Sequence, residues 1–363
     1  MPSLVRHALI VALALSLVGC ANAVAVPSPT AAPSLPAPSL PAPSLPAPSV
    51  TPTTQPSPSP STGVGPGEPW IAFQTSGASG YGVYLMRDDG TSMHHWPSGI
   101  AGGYEHPDWS PDGDRILVNS VELDGTEDLW SAHPDGSDVV RHIDCVAPCV
   151  WADEAAWSPD GTTIAFQRLV VDGELFQSTL ELVDVASGEV TVVLTMPEEQ
   201  VVLAPRWSPD QGQLVVEVIH LPEASLEVDP DGGGIGVVDL TADTPSVDLV
   251  APLTTFAQSP DWSPDGSQLI YAQPSADDPD HLDLHVIAPD GTDERRLTDL
   301  ASTGASAVQP AYTPDGEGVL FVLSRPGRDE SVMGLADRDG SNVRPATSNG
   351  YQDGFHPRMR PLP

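Results

Sequence analysis

Trp109-Ser110-Pro111-Asp112-Gly113 returns as Trp157-Ser158-Pro159-Asp160-Gly161 and Trp262-Ser263-Pro264-Asp265-Gly266. Variants read Trp207-Ser208-Pro209-Asp210-Gln211-Gly212 and Tyr312-Thr313-Pro314-Asp315-Gly316. The copies stand 48 to 55 residues apart, a period that signals a repeat architecture. After each comes an apolar run: Arg115-Ile116-Leu117-Val118, Thr163-Ile164-Ala165-Phe166, Gln213-Leu214-Val215-Val216, Gln268-Leu269-Ile270-Tyr271 and Gly318-Val319-Leu320-Phe321. Bounded by turn formers, these read as strands. A second apolar strand then leads into another turn, as in Leu284-His285-Val286-Ile287-Ala288-Pro289-Asp290-Gly291. Glycine reaches positive φ without steric cost and aspartate bonds nearby backbone, so antiparallel strands can follow one another directly.

Each repeat thus holds four antiparallel strands, the content of one propeller blade. The ends of the array decide how it closes. Before the first pentapeptide lie Trp70-Ile71-Ala72-Phe73 and Val83-Tyr84-Leu85-Met86, the second and third strands of a unit that lacks its first. After the last full unit lies a lone first strand, where His356-Pro357-Arg358-Met359-Arg360-Pro361 aligns with His106-Pro107-Asp108-Trp109-Ser110-Pro111. The expectation is an all-β, six-bladed β-propeller of four-stranded antiparallel blades over residues 68–363, sealed by pairing of its N- and C-terminal strands. Closure removes the unpaired edges an open array would expose.

The segment ahead of the array cannot build a core. Residues 1–19 read as an export signal, with Arg6 and His7 before the apolar run Ala8 to Val18, which is short for a membrane span. Leu17-Val18-Gly19-Cys20 resembles the lipobox of bacterial lipoproteins, which implies lipidation of Cys20 and an anchored, extracytoplasmic protein. Residues 20–67 are rich in Pro, Ser and Ala, with Ser34-Leu35-Pro36-Ala37-Pro38 repeated from Ser39 and from Ser44. Proline fixes φ and removes donors, so this stretch reads as an extended tether; a proline-rich recognition ligand is the alternative. Cys145 and Cys149 remain, and in an oxidising compartment they are expected to form a disulfide. Half of a metal site is the competing reading, without a second cysteine pair to complete it.

The formal charge is -36, with 50 acidic residues against 14 basic ones, all arginine. Such a surface repels nucleic acid and anionic lipid, so membrane contact is expected only through the lipid anchor. Much of the acidity sits in turns, where aspartate is a conformational choice.

The Trp-Ser-Pro-Asp-Gly units resemble the WD40-like repeats of the TolB family, also found in propeller domains of prolyl oligopeptidase-type peptidases. The resemblance spans essentially residues 68–363 and implies that the motif is structural: Trp109, Trp157, Trp207, Trp262 and Tyr312 pack between blades, while Asp112, Asp160, Asp210, Asp265 and Asp315 close hairpins. TolB proper carries an α/β domain before its propeller, through which it engages other envelope components. A low-complexity stretch stands there in this sequence, so the resemblance does not by itself imply a Tol-type role. The peptidases need an α/β-hydrolase domain, for which this chain has neither room nor a Gly-x-Ser-x-Gly elbow.

If the strand before each aromatic is innermost, the position three residues ahead of it lines the channel mouth. It reads His106, Glu154, Ala204, Ser259, Gln309 and His356 around the ring. With Asp108 nearby, His106, Glu154, Gln309 and His356 form the candidate ligand-binding set. His356, His106 and Glu154 on consecutive blades have the donor chemistry of a divalent-ion site, although a polar, water-filled mouth needs no metal, and neither metal nor cofactor is expected. Val228-Asp229-Pro230-Asp231-Gly232 and Asp277-Asp278-Pro279-Asp280 are acidic loops without the spacing of a calcium loop. Trp96 and Trp151 could stack on a sugar or peptide, or be buried at a blade edge. No acid–base pair is legible. The reading is a monomeric binding module for an envelope protein, peptide or glycan, with a lactonase-like metal hydrolase as the enzyme alternative.

Overall fold

Four four-stranded antiparallel sheets and one eight-stranded sheet make up a computed structural model of the chain. It describes residues 67–362 apart from 76–81, 101–102, 122–125, 174, 224–229, 325–330 and 347–353. The signal, Cys20 and the tether to residue 66 lie outside the described residues. The eight-stranded sheet is two four-stranded units: Gly103–Trp109, Ile116–Val121, Glu127–Ala132 and Val140–Ile143, then Cys149–Trp157, Thr163–Asp172, Leu175–Asp184 and Val190–Thr195. One parallel bridge, Glu127 to Trp151, joins them. No α-helix occurs among the described residues; Leu253–Thr255 and Ala301–Thr303 are single 3₁₀ turns.

The first strands of the units touch in cyclic order. Gly103–Trp109 contacts Cys149–Trp157, and the chain of contacts continues through Gln200–Trp207, Gln258–Trp262, Ser306–Tyr312 and Gly354–Met359 back to Gly103–Trp109. The tail strand Gly354–Met359 pairs antiparallel with Trp70–Thr75, matching Ile71 with Met359 and Thr75 with Gly354. That pairing supplies the missing first strand of the N-terminal unit. The ring is closed by its own last residues.

Among the described residues, seven apolar clusters fill the wedges between successive sheets, two of them in the wedge ahead of Gln200–Trp207, in place of one central core. Trp70, Leu85, Trp96, Trp109 and Ile116 share one wedge, while Ile71, Phe73, Leu320 and Met333 share the wedge across the closure. A sheet buried on both faces needs apolar side chains at odd and even positions alike, which is why the second strands read as unbroken apolar runs. Leu320 faces one wedge while Val319 and Phe321 face the other.

The repeated pentapeptide makes the same bonds each time. Ser110 Oγ donates to Asp112 Oδ1 at 2.6 Å, the Gly113 N–H donates to the Ser110 carbonyl at 2.8 Å, and the later copies repeat the pattern. The indoles join neighbouring units. Trp109, Trp207 and Trp262 donate Nε1–H to the carbonyls of Arg358, Ala156 and Arg206 on the preceding first strand, at 3.1–3.2 Å. Turn aspartates such as Asp89, Asp160 and Asp290 have carboxyls held below their usual range by Thr side-chain and backbone donors in their own turns, with Ser158 adding another at Asp160. Much of the acidity is therefore spent on hairpin geometry.

Gly136 shows how tightly the outer hairpins dock. It has φ +79°, and a Cβ there would stand 1.7 Å from the Pro97 carbonyl oxygen of the preceding unit. Gly188 has φ +72° and nothing within 4 Å. Gly188→Ala should therefore cost only the left-handed penalty, about 1–2 kcal/mol. Gly136→Ala should cost roughly 2 kcal/mol more, because backbone must move. Urea midpoints of the two variants would test this; equal losses would refute the close docking.

Candidate functional site

Every first strand carries the same irregularity. Its ladder slips at the residues preceding the aromatic, between Glu105 and Asp108 and at the equivalent places in the other five. At each slip one residue is left-handed: His106, Glu154, Ala204, Ser259, Gln309 and His356 all have φ between 47° and 53°. These are the six positions expected to line the mouth. A β-bulge re-aims a side chain at the cost of a ladder bond. Five of the six precede a proline, which has no N–H to leave unpaired. Because Ala204 adopts the bulge too, the bend is architecture and the side chains on it are the variable part.

The six residues line one recess with Arg206, Pro260 and Arg358, and its empty space, open solvent included, is about 320 Å³. Four of the bulge amides are satisfied by the preceding unit. Glu154 Oε2 accepts from Ala204 N at 2.6 Å, Glu217 Oε2 from Ser259 N at 2.8 Å, Gln309 Oε1 from His356 N at 2.9 Å and Gln74 Oε1 from His106 N at 3.5 Å. His106 and His356 meet edge to face, with ring centroids 4.2 Å apart. Gln309 Nε2 lies 2.9 Å from His356 Nε2, and His106 Nδ1 lies 2.7 Å from Asp153 Oδ1.

These contacts divide the two imidazoles into different charge states. Burial opposes a charge on His106, but the Asp153 carboxylate overcomes it and holds the ring protonated, its pKa raised to about 10. Burial pushes His356 well below the ordinary histidine value, and the positive His106, Arg358 and Arg206 push it further. Gln309 Nε2–H then donates to the neutral ring, leaving the His356 proton on Nδ1. Burial also raises Glu154, and it raises Glu217 to about 8 with help from the Glu154 charge. The mouth therefore offers neutral and charged donors and acceptors side by side.

The structure brings His106, Glu154, Gln309 and His356 together, and it gives Asp108 another task. Asp108 Oδ2 accepts the Trp157 amide at 3.0 Å, tying two units together, while Oδ1 lies 4.0 Å from Arg358 Nε. His356, His106 and Glu154 do not converge as ligands. Among the described residues no group of three His, Cys, Asp or Glu side chains is arranged to hold a metal ion, because each is turned to a partner in the ring wall. The acidic loops are engaged likewise: Asp231 pairs with His220 at 2.6 Å and Asp278 with His281 at 2.9 Å, while Val228 and Asp229 lie outside the described residues. Trp96 is fully buried and donates to the His133 carbonyl at 3.0 Å, and Trp151 packs partly buried beside Leu169 and Phe176, so neither is a free stacking platform. Cys145 and Cys149 form the disulfide, closing the loop between two units.

Sequence reading missed Arg206, Arg358 and Glu217. The arginines were findable, since Arg206 before Trp207 and Arg358 before Met359 occupy one column of the repeat, as regular as the one that was read. Glu217 comes from a second strand and reaches the ring only by its side chain, which no periodicity reveals.

A sealed ring of radial four-stranded sheets with bulged inner strands around a polar channel is a β-propeller. Its fold is of the TolB type. A structure assigned to TolB from Agrobacterium tumefaciens superposes with TM-score 0.56 at 19% identity, covering 82% of this chain and 99% of that one. TolB from Acinetobacter baumannii gives 0.59 at 16% identity over 82% of this chain and 67% of the other. In sequence, the uncharacterized protein Atu1656 of Agrobacterium fabrum is 24% identical over 256 residues, which are 66% of this chain and 74% of that protein. No family model matches. At these identities the likeness establishes the fold and leaves the chemistry to the site. Among the described residues no helix is long and apolar enough to cross a membrane.

Proposed function

We propose that the chain is a binding module of the cell envelope, held by lipid on Cys20 and the proline-rich tether, which presents its channel mouth to a protein, peptide or glycan. One observation carries the reading: six rigid, identically bent positions place non-identical side chains, His106, Glu154, Ser259, Gln309 and His356 among them, around a single recess. Conserved geometry with varied chemistry is what recognition uses, since the scaffold fixes positions and the side chains choose the partner. The disulfide supports an extracytoplasmic location, because such bonds persist in oxidising compartments. The acidic exterior makes nucleic acid an unsuitable partner. Catalysis is not part of the proposal, as both imidazoles are engaged within the ring wall.

The test is cross-linking capture from envelope extracts with the full chain and with the triple variant His106→Ala, Glu154→Ala, His356→Ala. The expected outcome is a captured species lost in the triple variant, with Cys20→Ser releasing the protein from the membrane fraction. Capture that survives the triple variant would move the site elsewhere.

A further inference from the structure

The position directly before the repeat aromatic, or before Met359 where the closing strand has no aromatic, reads around the ring Arg358, Asp108, Ala156, Arg206, Asp261 and Ala311. The order Arg-Asp-Ala occurs twice, so the two arginines stand on strands three units apart, on opposite sides of the channel. Both side chains line the recess. In a chain with 50 acidic residues and only 14 basic ones, two facing guanidiniums inside the channel are unexpected on composition alone.

Their surroundings leave hydrogen-bonding capacity unused. Arg206 is nine-tenths buried, and its Nε has no partner although it is shielded from solvent. Its Nη1 donates only to the carbonyl of its own neighbour Pro205, at 3.1 Å, and Arg358 Nη1 does the same to Pro357 at 3.1 Å. An unpartnered buried guanidinium N–H is costly, since its water has been removed and nothing replaces it. Both backbones are pinned, because the Arg206 and Arg358 carbonyls accept the indole N–H of Trp262 and Trp109. The pair is held ready.

The carboxylates nearby do not satisfy it. Asp108 and Asp261 each have one oxygen committed to the amide of the next unit, Trp157 at 3.0 Å and Tyr312 at 2.9 Å. Asp108 approaches Arg358 no closer than 4.0 Å. Glu154 is bonded to the Ala204 amide, and burial drives Glu154, Glu217 and Asp261 toward their neutral forms. Burial and the facing Arg206 lower Arg358 only to about 10, so it stays charged at neutral pH. His106, protonated against Asp153, adds positive charge to the same recess.

We propose that Arg206 and Arg358 form a site for an oxyanion, a carboxylate or phosphate group bridged between two guanidiniums across the channel. The planar guanidinium fork matches such oxygens in pairs, and a shared anion relieves the repulsion between the two cations. The site stands on its own side chains and does not require a macromolecule at the mouth. The oxyanion comes either as a free ion or as the end group of a longer ligand, and the two sources separate by experiment.

The full chain is titrated calorimetrically with inorganic phosphate at constant ionic strength, and in parallel with a short peptide bearing a free C-terminal carboxylate and the same peptide amidated. Saturable binding of one phosphate per chain, or of the free-acid peptide in preference to the amide, supports the site and names the source. Arg206→Gln and Arg358→Gln are each expected to weaken binding at least tenfold, whereas Arg344→Gln, an exposed arginine paired with Asp337, leaves it unchanged. Arg206→Lys, which keeps the charge and most of the buried stem, guards against a misfolded glutamine variant and should bind more weakly than wild type. No saturation with any ligand, or equal binding by the variants at Arg206 and Arg358, overturns the proposal.

Discussion

A chain ending before Gly354 is expected to lose cooperative unfolding altogether, a loss on the order of the whole folding stability of a domain, roughly 5–15 kcal/mol. The last strand is the first strand of the N-terminal unit, and its removal leaves Trp70–Thr75 as an unpaired edge. It also removes the carbonyl of Arg358 that receives the Trp109 indole, the Arg360 guanidinium lying over that indole, and the bond from Arg360 Nε to the Gly113 carbonyl at 2.8 Å. Met359 leaves the wedge shared by Ile71, Phe73 and Leu320. Because each unit is stabilised by its neighbours, opening one wedge exposes apolar surface on two sheets at once. Thermal melts followed by far-ultraviolet circular dichroism are the measurement, with a synthetic peptide of residues 351–363 added in trans expected to restore part of the transition. A shortened chain melting at the wild-type temperature would show that the ring does not depend on its seal.

The same closure was legible from residues, because His356-Pro357 repeats His106-Pro107 and the first unit visibly lacks a strand. Repeats make such reasoning strong: each Asp-Gly turn and apolar run is confirmed by four others in register, so a local error cannot survive. The mouth residues were legible for the same reason, as one column of the alignment. What escaped was everything that depends on a side chain crossing from one unit to the next. His106 pairs with Asp153 and Gln309 with His356, contacts between side chains of different units that no single repeat displays. Sequence presents the mouth residues as a plausible ligand set; only the direction of each side chain shows that His106 Nδ1, His356 Nε2 and Glu154 Oε2 are bonded within the ring wall. Asp108 was read as part of the binding set, yet the geometry assigns it to holding the Trp157 amide.

Glu217→Gln is expected to raise stability above pH 8 by up to about 3 kcal/mol, and to leave it unchanged below about pH 4.5, the ordinary glutamate value. Burial, reinforced by the Glu154 charge, raises the Glu217 pKa from 4.5 to about 8 in the folded protein. Below 4.5 both folded and unfolded chains hold the proton, and its contribution is complete. Between 4.5 and 8 the folded state keeps a proton that the unfolded state has released, so stability falls as pH rises across that window. Glutamine removes the titration while its Oε1 can still accept the Ser259 amide that Glu217 holds at 2.8 Å. The decline should not vanish, because His106, raised from 6.5 to about 10 by Asp153, loses its own contribution between those values and is untouched by the change. The turn aspartates act at the other extreme, their depressed carboxyls losing stability as pH falls below 3.8. Wild type should therefore be most stable on the acid side of neutrality, and the variant's maximum should broaden toward higher pH. Urea unfolding at a series of pH values is the measurement, and parallel curves for the two proteins from pH 4 to 9 would refute a charge held uncomfortably in the channel wall.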